Sequence, residues 1–223
     1  MIIIFTSFIT SCSTVPPPKP FNTESSGLAI YLELEPPISI FNMTKEPTRV
    51  YFVRLDEGEE QYSLSKNNII PSNYSKDGYA YLFNAEPGRY IAVAAYSYAV
   101  NTEQRTKADF YSFLPSDLVT LTTIELKPGQ LEFMGGFLVK ESIGLKGADD
   151  VQKHYFSLMF PSENIDASSK LSSVVMSNMF KKQGVVHYKG KLLESRKDMK
   201  EYSKFKSHLK NNFEKSTWLK FVQ

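Results

Sequence analysis

Residues 75–98 read SKDGYAYLFNAEPGRYIAVAAYSY, and this stretch constrains the fold more than any other. Asp77-Gly78 is a turn signal, because glycine takes the positive φ of a tight hairpin at little cost. Residues 79–83 then form a short strand. Pro87-Gly88 marks a second turn, and residues 89–98 a longer strand. Its alternation puts Tyr90, Ala92, Ala94, Tyr96 and Tyr98 on one face and Ile91, Val93 and Ala95 on the other.

The same period of two recurs along the body. Residues 28–34 make a first strand, closed by Pro36-Pro37, and residues 49–55 a second, ending in the acidic turn DEGEE at 56–60. Further strands are expected at 110–114, 119–126, 131–139 and 154–160. The turn Lys127-Pro128-Gly129-Gln130 joins two of them, and Gly135-Gly136 predicts a bulge or a close backbone approach. Sixteen Phe, thirteen Tyr and one Trp suit sheets better than helical bundles. Seven or more short strands without interleaved helical patterns predict a mainly β fold: an antiparallel β-sandwich over residues 27–165, followed by a C-terminal amphipathic helix.

The turn-and-strand pair, with Asp77, Gly78, Pro87, Gly88 and Tyr90 at its marked positions, resembles prealbumin-like sandwiches, including the carboxypeptidase regulatory-like family. LKPGQLEFMGGF at 126–137 resembles the closing hairpin of small bacterial lipoprotein domains of similar build. The likeness covers about sixty residues, and it implies a non-catalytic binding or assembly module.

The only cysteine is Cys12, behind the apolar run MIIIFTSFI and ahead of STVPPPKPFNTESS. A lone thiol permits no internal disulfide. The apolar run would span roughly half of a ~30 Å hydrocarbon core as a helix, so it fits a secretory signal better than a membrane span. Ile9-Thr10-Ser11-Cys12 resembles the lipobox of bacterial lipoproteins. That resemblance implies a signal peptide over 1–11, cleavage before Cys12, and fatty acyl (palmitate-type) modification of the cysteine. Ser13 rather than Asp after it implies the outer membrane by the enterobacterial sorting pattern. One departure from signal peptides is that no basic residue precedes Lys19. Residues 12–26 then read as the lipidated Cys and a Pro-rich tether, extended by its prolines.

Charge divides the chain. Residues 181–223 hold 12 Lys/Arg and 4 Asp/Glu, a balance of +8, against 14 and 20 in residues 1–180, a balance of −6. The net is only +2, which gives no whole-chain argument for nucleic acid. Residues 166–223 are expected to form a helical, basic segment packed on the sandwich. Residues 171–180 suggest a short helix and residues 185–188 one more strand. Leu192, Met199, Tyr202, Phe205, Leu209 and Phe213 form the stripe of a longer helix over 192–213, and Trp218 and Phe221 are docking groups. The stripe can dock on the acidic body, or the basic helix can lie on an anionic membrane.

Searching for chemistry yields little. His154, His187 and His208 lack metal-pair spacing, and no phosphate loop, nucleophile elbow or dinucleotide fingerprint occurs. No catalytic residue, metal site or cofactor is expected. The clusters Asp56-Glu57-Glu59-Glu60 and Asp149-Asp150 offer oxygens for Ca²⁺ but read better as solvated turns. Tyr79, Tyr81, Tyr90, Tyr96 and Tyr98 are candidates for a protein- or carbohydrate-binding face. The expectation is a lipid-anchored protein of a bacterial envelope with a binding, adhesion or assembly role, touching the membrane through its N-terminal lipid and no nucleic acid. An envelope hydrolase acting on glycosides or peptidoglycan is the alternative, since two carboxylates suffice for that chemistry. A third reading is a soluble cytoplasmic binding domain.

Overall fold

The computed structural model describes residues 16–37, 46–56, 58, 62, 65–101, 106–165, 184–213 and 217–222. Ten strands fall among them: β1 Ser26–Glu35, β2 Arg49–Leu55, β3 Ile69–Pro71, β4 Tyr74–Lys76, β5 Tyr79–Ala85, β6 Gly88–Asn101, β7 Thr106–Phe113, β8 Ile124–Leu126, β9 Leu131–Ile143 and β10 Gly184–Arg196. Three α-helices accompany them: α1 Ser116–Leu121, α2 Asp150–Met159 and α3 Met199–Phe213. The fold is mainly β, as the alternation predicts.

The strands form one curled sheet in the order β3-β2-β6-β7-β10-β9-β1-β5-β4, with β8 on β6. Pairing is mixed, which corrects the expectation of a purely antiparallel arrangement. β1 runs parallel to β9, from Gly27 opposite Leu131 to Glu35 opposite Lys140, and β10 runs parallel to β7. Sequence neighbours suggest hairpins, but β10 arrives late in the chain and sits between β7 and β9 in the middle of the sheet.

The outermost strands of that order, β3 and β4, are separated in sequence by Ser72 and Asn73 alone. Ser72 N donates to Val50 O at 2.7 Å and Asn73 N to Tyr81 O at 2.9 Å, so one continuous segment bonds to β2 and then to β5. Asn73 also exchanges side-chain hydrogen bonds with the Phe83 backbone. The two ends of the curled sheet are thus bridged by the chain itself, which leaves few strand groups unpaired at its edges. At Asp77-Gly78, φ is 50° and 79°, the two-residue turn expected between β4 and β5. Pro87-Gly88, by contrast, is no hairpin: β5 pairs with β1 and β4, whereas β6 pairs with β2, β7 and β8.

Two expected strands are largely helical. Residues 119–126 begin inside α1, which starts after Pro115 and stops where Thr122 N bonds back to Leu118 O; strand β8 takes up only the last three. Residues 154–159 belong to α2, with Phe160 its C-cap, and the helix starts in a capping box: Asp149 accepts from Gln152 N, and the Gln152 side chain accepts from Asp149 N. In the C-terminal segment, Leu192 belongs to β10, and the helix begins at Met199. The expected helix at 171–180 lies outside the described residues.

Paired residues share a face of a sheet. Leu28, Ile30, Leu32 and Leu34 of β1 share theirs with Leu82, Ala80, Phe137 and Val139, and Val50 and Phe52 with Ala95 and Ala92. All are buried, and they line the inside of the curl. Leu118, Val119, Val151, Tyr155 and Phe156 of α1 and α2 extend the same core. A second core lies outside, where α3 and the 3-10 turn Thr217–Phe221 cover β1, β5 and β9. There Phe133 stacks on Phe205 at 4.4 Å and Phe83 on Trp218 at 4.6 Å. Tyr202, Phe205, Leu209, Phe213, Trp218 and Phe221 are therefore the docking groups the stripe implied. The glycine pair in β9 does what its chemistry suggests. A bulge falls there, Gly135 takes φ +117°, and a Cβ on Gly136 would sit 3.1 Å from the Glu201 carboxylate of α3.

Candidate functional site

The five tyrosines proposed as one face are dispersed over three environments. Tyr79 and Tyr81 lie under α3, where the His208 ring stacks on Tyr79 at 4.1 Å. Tyr90 is fully buried and its hydroxyl donates to Glu86 O. Only Tyr96 and Tyr98 reach an open face. The cause is a bulge in the β2–β6 pairing: Tyr51 is opposite Ala94, yet Phe52 is opposite Ala92. The extra residue in β6 breaks the alternation, so Tyr90 and Ala92 face one way and Ala94, Tyr96 and Tyr98 the other.

On the same face the register adds Tyr111 of β7 beside Tyr96 and places Tyr51 of β2 nearby, both half-buried against the main core, with Phe160 edge-on over Tyr111 at 4.9 Å. Ring centroids are 5.1 Å apart for Tyr96–Tyr111, 6.1 Å for Tyr51–Tyr111 and 6.3 Å for Tyr96–Tyr98. Tyr98 is 47% exposed. The rim is charged and ordered. Lys107 Nζ is 2.8 Å from Asp109 Oδ1, the Tyr96 hydroxyl donates to the same oxygen at 2.5 Å, and Lys107 lies over the Tyr98 ring. Partial burial works to raise the Asp109 carboxyl, but the hydrogen bonds from Lys107 and Tyr96 outweigh it, so its pKa falls below the usual range. Burial, then the bond to Asp109, pushes the Tyr96 hydroxyl up, so it stays a donor. Such rings combine apolar contact area with a polar tip, which suits stacking on a sugar ring or a peptide.

The remaining candidates have structural assignments. Asp149 caps α2 and accepts from Ser116 N, and Asp150 pairs with Lys153. Of the acidic turn, Glu57, Glu59 and Glu60 lie outside the described residues, as does Cys12. Among the described residues no group of three His, Cys, Asp or Glu side chains could hold a metal ion. His154 packs edge-on against Tyr62 at 5.1 Å and Tyr155 at 4.9 Å. His187 is buried among Phe113, Phe156 and Phe160, with Nδ1 3.6 Å from Glu163 and no partner for Nε2 among the described residues. Burial lowers its pKa to about 4, and lowers His208 to about 4 despite the nearby Asp77 carboxylate.

The sequence reading passed over Glu141. It is 2% exposed, its carboxylate accepts from Ser112 Oγ, and burial raises its pKa to about 7. It stands on the inner face of β9, following Phe137 and Val139. The signal was present in the alternation of 137, 139 and 141, which puts an acid in line with two core residues.

The start of the body is also informative. Trp218 Nε1 donates to Pro18 O at 2.6 Å and Asn84 Nδ2 to Lys19 O at 2.9 Å. Phe21 N donates to Ser25 Oγ and to Asn84 Oδ1. Ser26 Oγ bonds to Lys127 O, and Gly129 N to Glu24 O, so the Lys127–Gln130 turn grips the entry to β1. The proline-rich segment is therefore pinned to the body from Pro18 onward.

Comparison with known proteins adds no relative: no family model, no curated protein and no solved structure matches this chain. Among the described residues no helix is long and apolar enough to cross a membrane.

Proposed function

We propose that this chain is an exported, lipid-anchored protein of a bacterial envelope, probing its surroundings with a non-catalytic binding face. The observation that carries the proposal is the pinning of Pro18 and Lys19 on Trp218 and Asn84. It leaves a short, defined leash between the lone lipobox cysteine and a closed body. The binding face is Tyr51, Tyr96, Tyr98 and Tyr111 with the Lys107–Asp109 rim, and the partner is a protein or a carbohydrate. The outer membrane follows from the Ser13 pattern.

The Asp77-Gly78 turn is one that any tight hairpin uses, and the pairings of β1 with β9 and β7 with β10 are parallel, so the binding reading here does not lean on the prealbumin-like likeness. The hydrolase reading has one observation in its favour, the raised carboxyl of Glu141. Glu141 contacts a serine inside the sheet rather than a second acid facing solvent, so the binding reading is preferred.

Labelled palmitate fed to cells of the native host tests the anchor. Incorporation into the wild type and its loss in Cys12→Ser is the expected outcome. Label that persists in Cys12→Ser, or a wild type that stays in the aqueous phase on detergent partition, contradicts it.

A further inference from the structure

The basic tail has a geometry that the anchor alone does not explain. In α3, Glu201, Phe205, Leu209 and Phe213 face the sheet, and the opposite side carries Lys200, Lys204, Lys206 and Lys210 in two rows flanking Ser203 and Ser207. The helix contains one carboxylate, Glu201, and it is only 3% exposed, turned into the space left by Gly136 and bonded to Lys204. Glu201 offsets Lys204, and the solvent side of α3 is left cationic through Lys200, Lys206 and Lys210.

The same helix leads directly to the leash. The 3-10 turn after α3 supplies Trp218, which holds Pro18, and exposed Lys19 and Phe21 follow, Phe21 at 84% exposure. From Cys12 to Pro18 the chain can reach at most about 20 Å. The helix itself is about 22 Å long at 1.5 Å per residue. A body tied this closely by its Pro18 corner keeps the α3 lysines near the lipid headgroups.

We propose that the solvent face of α3, continued by Lys19 and the exposed ring of Phe21, lies on an anionic lipid leaflet. This rests on the lipid-anchor reading for its geometry, and it names the surface that meets the membrane. The apolar stripe of α3 is spent on the body, so contact is made by the lysine side. Attraction is electrostatic, of short range at physiological ionic strength, where the Debye length is about 8 Å. The acyl chains of a lipobox cysteine already hold the protein stably, so the basic patch sets how the body lies on the leaflet rather than whether it stays there. Seated this way, α3 touches the leaflet while the Tyr51–Tyr111 face, on other strands, stays available to a partner.

The test uses the full chain with Cys12→Ser, so that no acyl group contributes, and vesicles of phosphatidylcholine with or without phosphatidylglycerol. Any contribution of residues 1–9 appears equally on both. The expected result is binding that needs phosphatidylglycerol and disappears on going from about 0.1 to about 1 M salt. Lys19→Gln, Lys200→Gln, Lys206→Gln and Lys210→Gln together should weaken it by roughly a hundredfold or more, since each lysine near such a surface is worth about fivefold. The same four positions as arginine should bind like the parent, which controls for folding. Neutralising Lys66, Lys140, Lys146 and Lys153 instead should change it little. Equal weakening by that second set, equal binding to vesicles without phosphatidylglycerol, or binding to a DNA duplex with none to vesicles overturns the proposal. Palmitate labelling of the wild type is read separately: vesicle binding without label removes the anchor and leaves this surface standing.

Discussion

Two faces of the sheet are built from similar residues, and they are covered to different degrees. On β1, β5 and β9, Tyr79, Tyr81, Phe83 and Phe133 lie beneath α3 and Trp218. On β2, β6 and β7, Tyr51, Tyr96, Tyr98 and Tyr111 stand partly open, with a lysine–aspartate pair at their rim. The covered face has become a second core. The less covered one keeps the Tyr96 hydroxyl in a hydrogen bond to Asp109, and nothing in the identity of the rings distinguishes the two. What decides is whether the chain supplies a helix with a matching stripe.

Substitutions should separate the faces by size of effect. Phe205→Ala removes a fully buried ring stacked on Phe133, and a loss of about 3–5 kcal/mol is expected in urea unfolding. A loss below about 1 kcal/mol would mean that α3 is an appendage rather than a layer of the fold.

Glu141 sharpens the comparison from inside the curl. Its carboxyl has an ordinary value of 4.5 and a folded value of about 7. Below the first, folded and unfolded states are both protonated. Between the two, only the folded state keeps its proton, so stability falls as pH rises through that window. Glu141→Gln should remove this fall and add about 3 kcal/mol at pH 8, with no gain at pH 4. His187 and His208 act on the acid side. Neutral in the folded state down to about 4 but protonated near 6.5 when unfolded, they lower stability as pH drops from 6.5 towards 4. Thermal melts across pH should therefore peak near neutrality, and replacing both histidines with Gln should reverse the limb between 6.5 and 4.5, where the Glu141 proton alone then favours the folded state as pH drops.

Smaller effects follow. Gly78→Ala places a Cβ 2.6 Å from the Tyr31 ring at φ +79°, and about 1–2 kcal/mol should be lost in the same unfolding assay. Tyr98→Ala, on the open face, should change stability by no more than about 0.5 kcal/mol. If that substitution costs as much as Phe205→Ala, the two faces are equivalent and the tyrosine cluster is a packing surface.

The strands with clear alternation were legible: 28–34, 49–55, 79–83, 89–98 and 131–139 fall in strands of the sheet, as does 110–114 except Leu114. Strands β3 and β4 were not, because three residues are too few to show a period. α2 was not legible in 154–160 alone, because its capping box at Asp149 and Gln152 and the first residue of its buried side, Val151, lie ahead of that segment. Pairing order was beyond local reading, since the place of β10 between β7 and β9 is a long-range choice. The site was half legible for the same reason. Periodicity finds Tyr96 and Tyr98, but register is needed to bring in Tyr51 and Tyr111, and only the docked helix explains why Tyr79 and Tyr81 are withdrawn.

The account depends on Cys12 joining this body to a bilayer. Intact-mass analysis of the protein purified from its native host tests that most directly. The expected species begins at Cys12 and carries a diacylglyceryl group with a further acyl chain on its amino terminus. A species with residues 1–11 attached and a free thiol would contradict it.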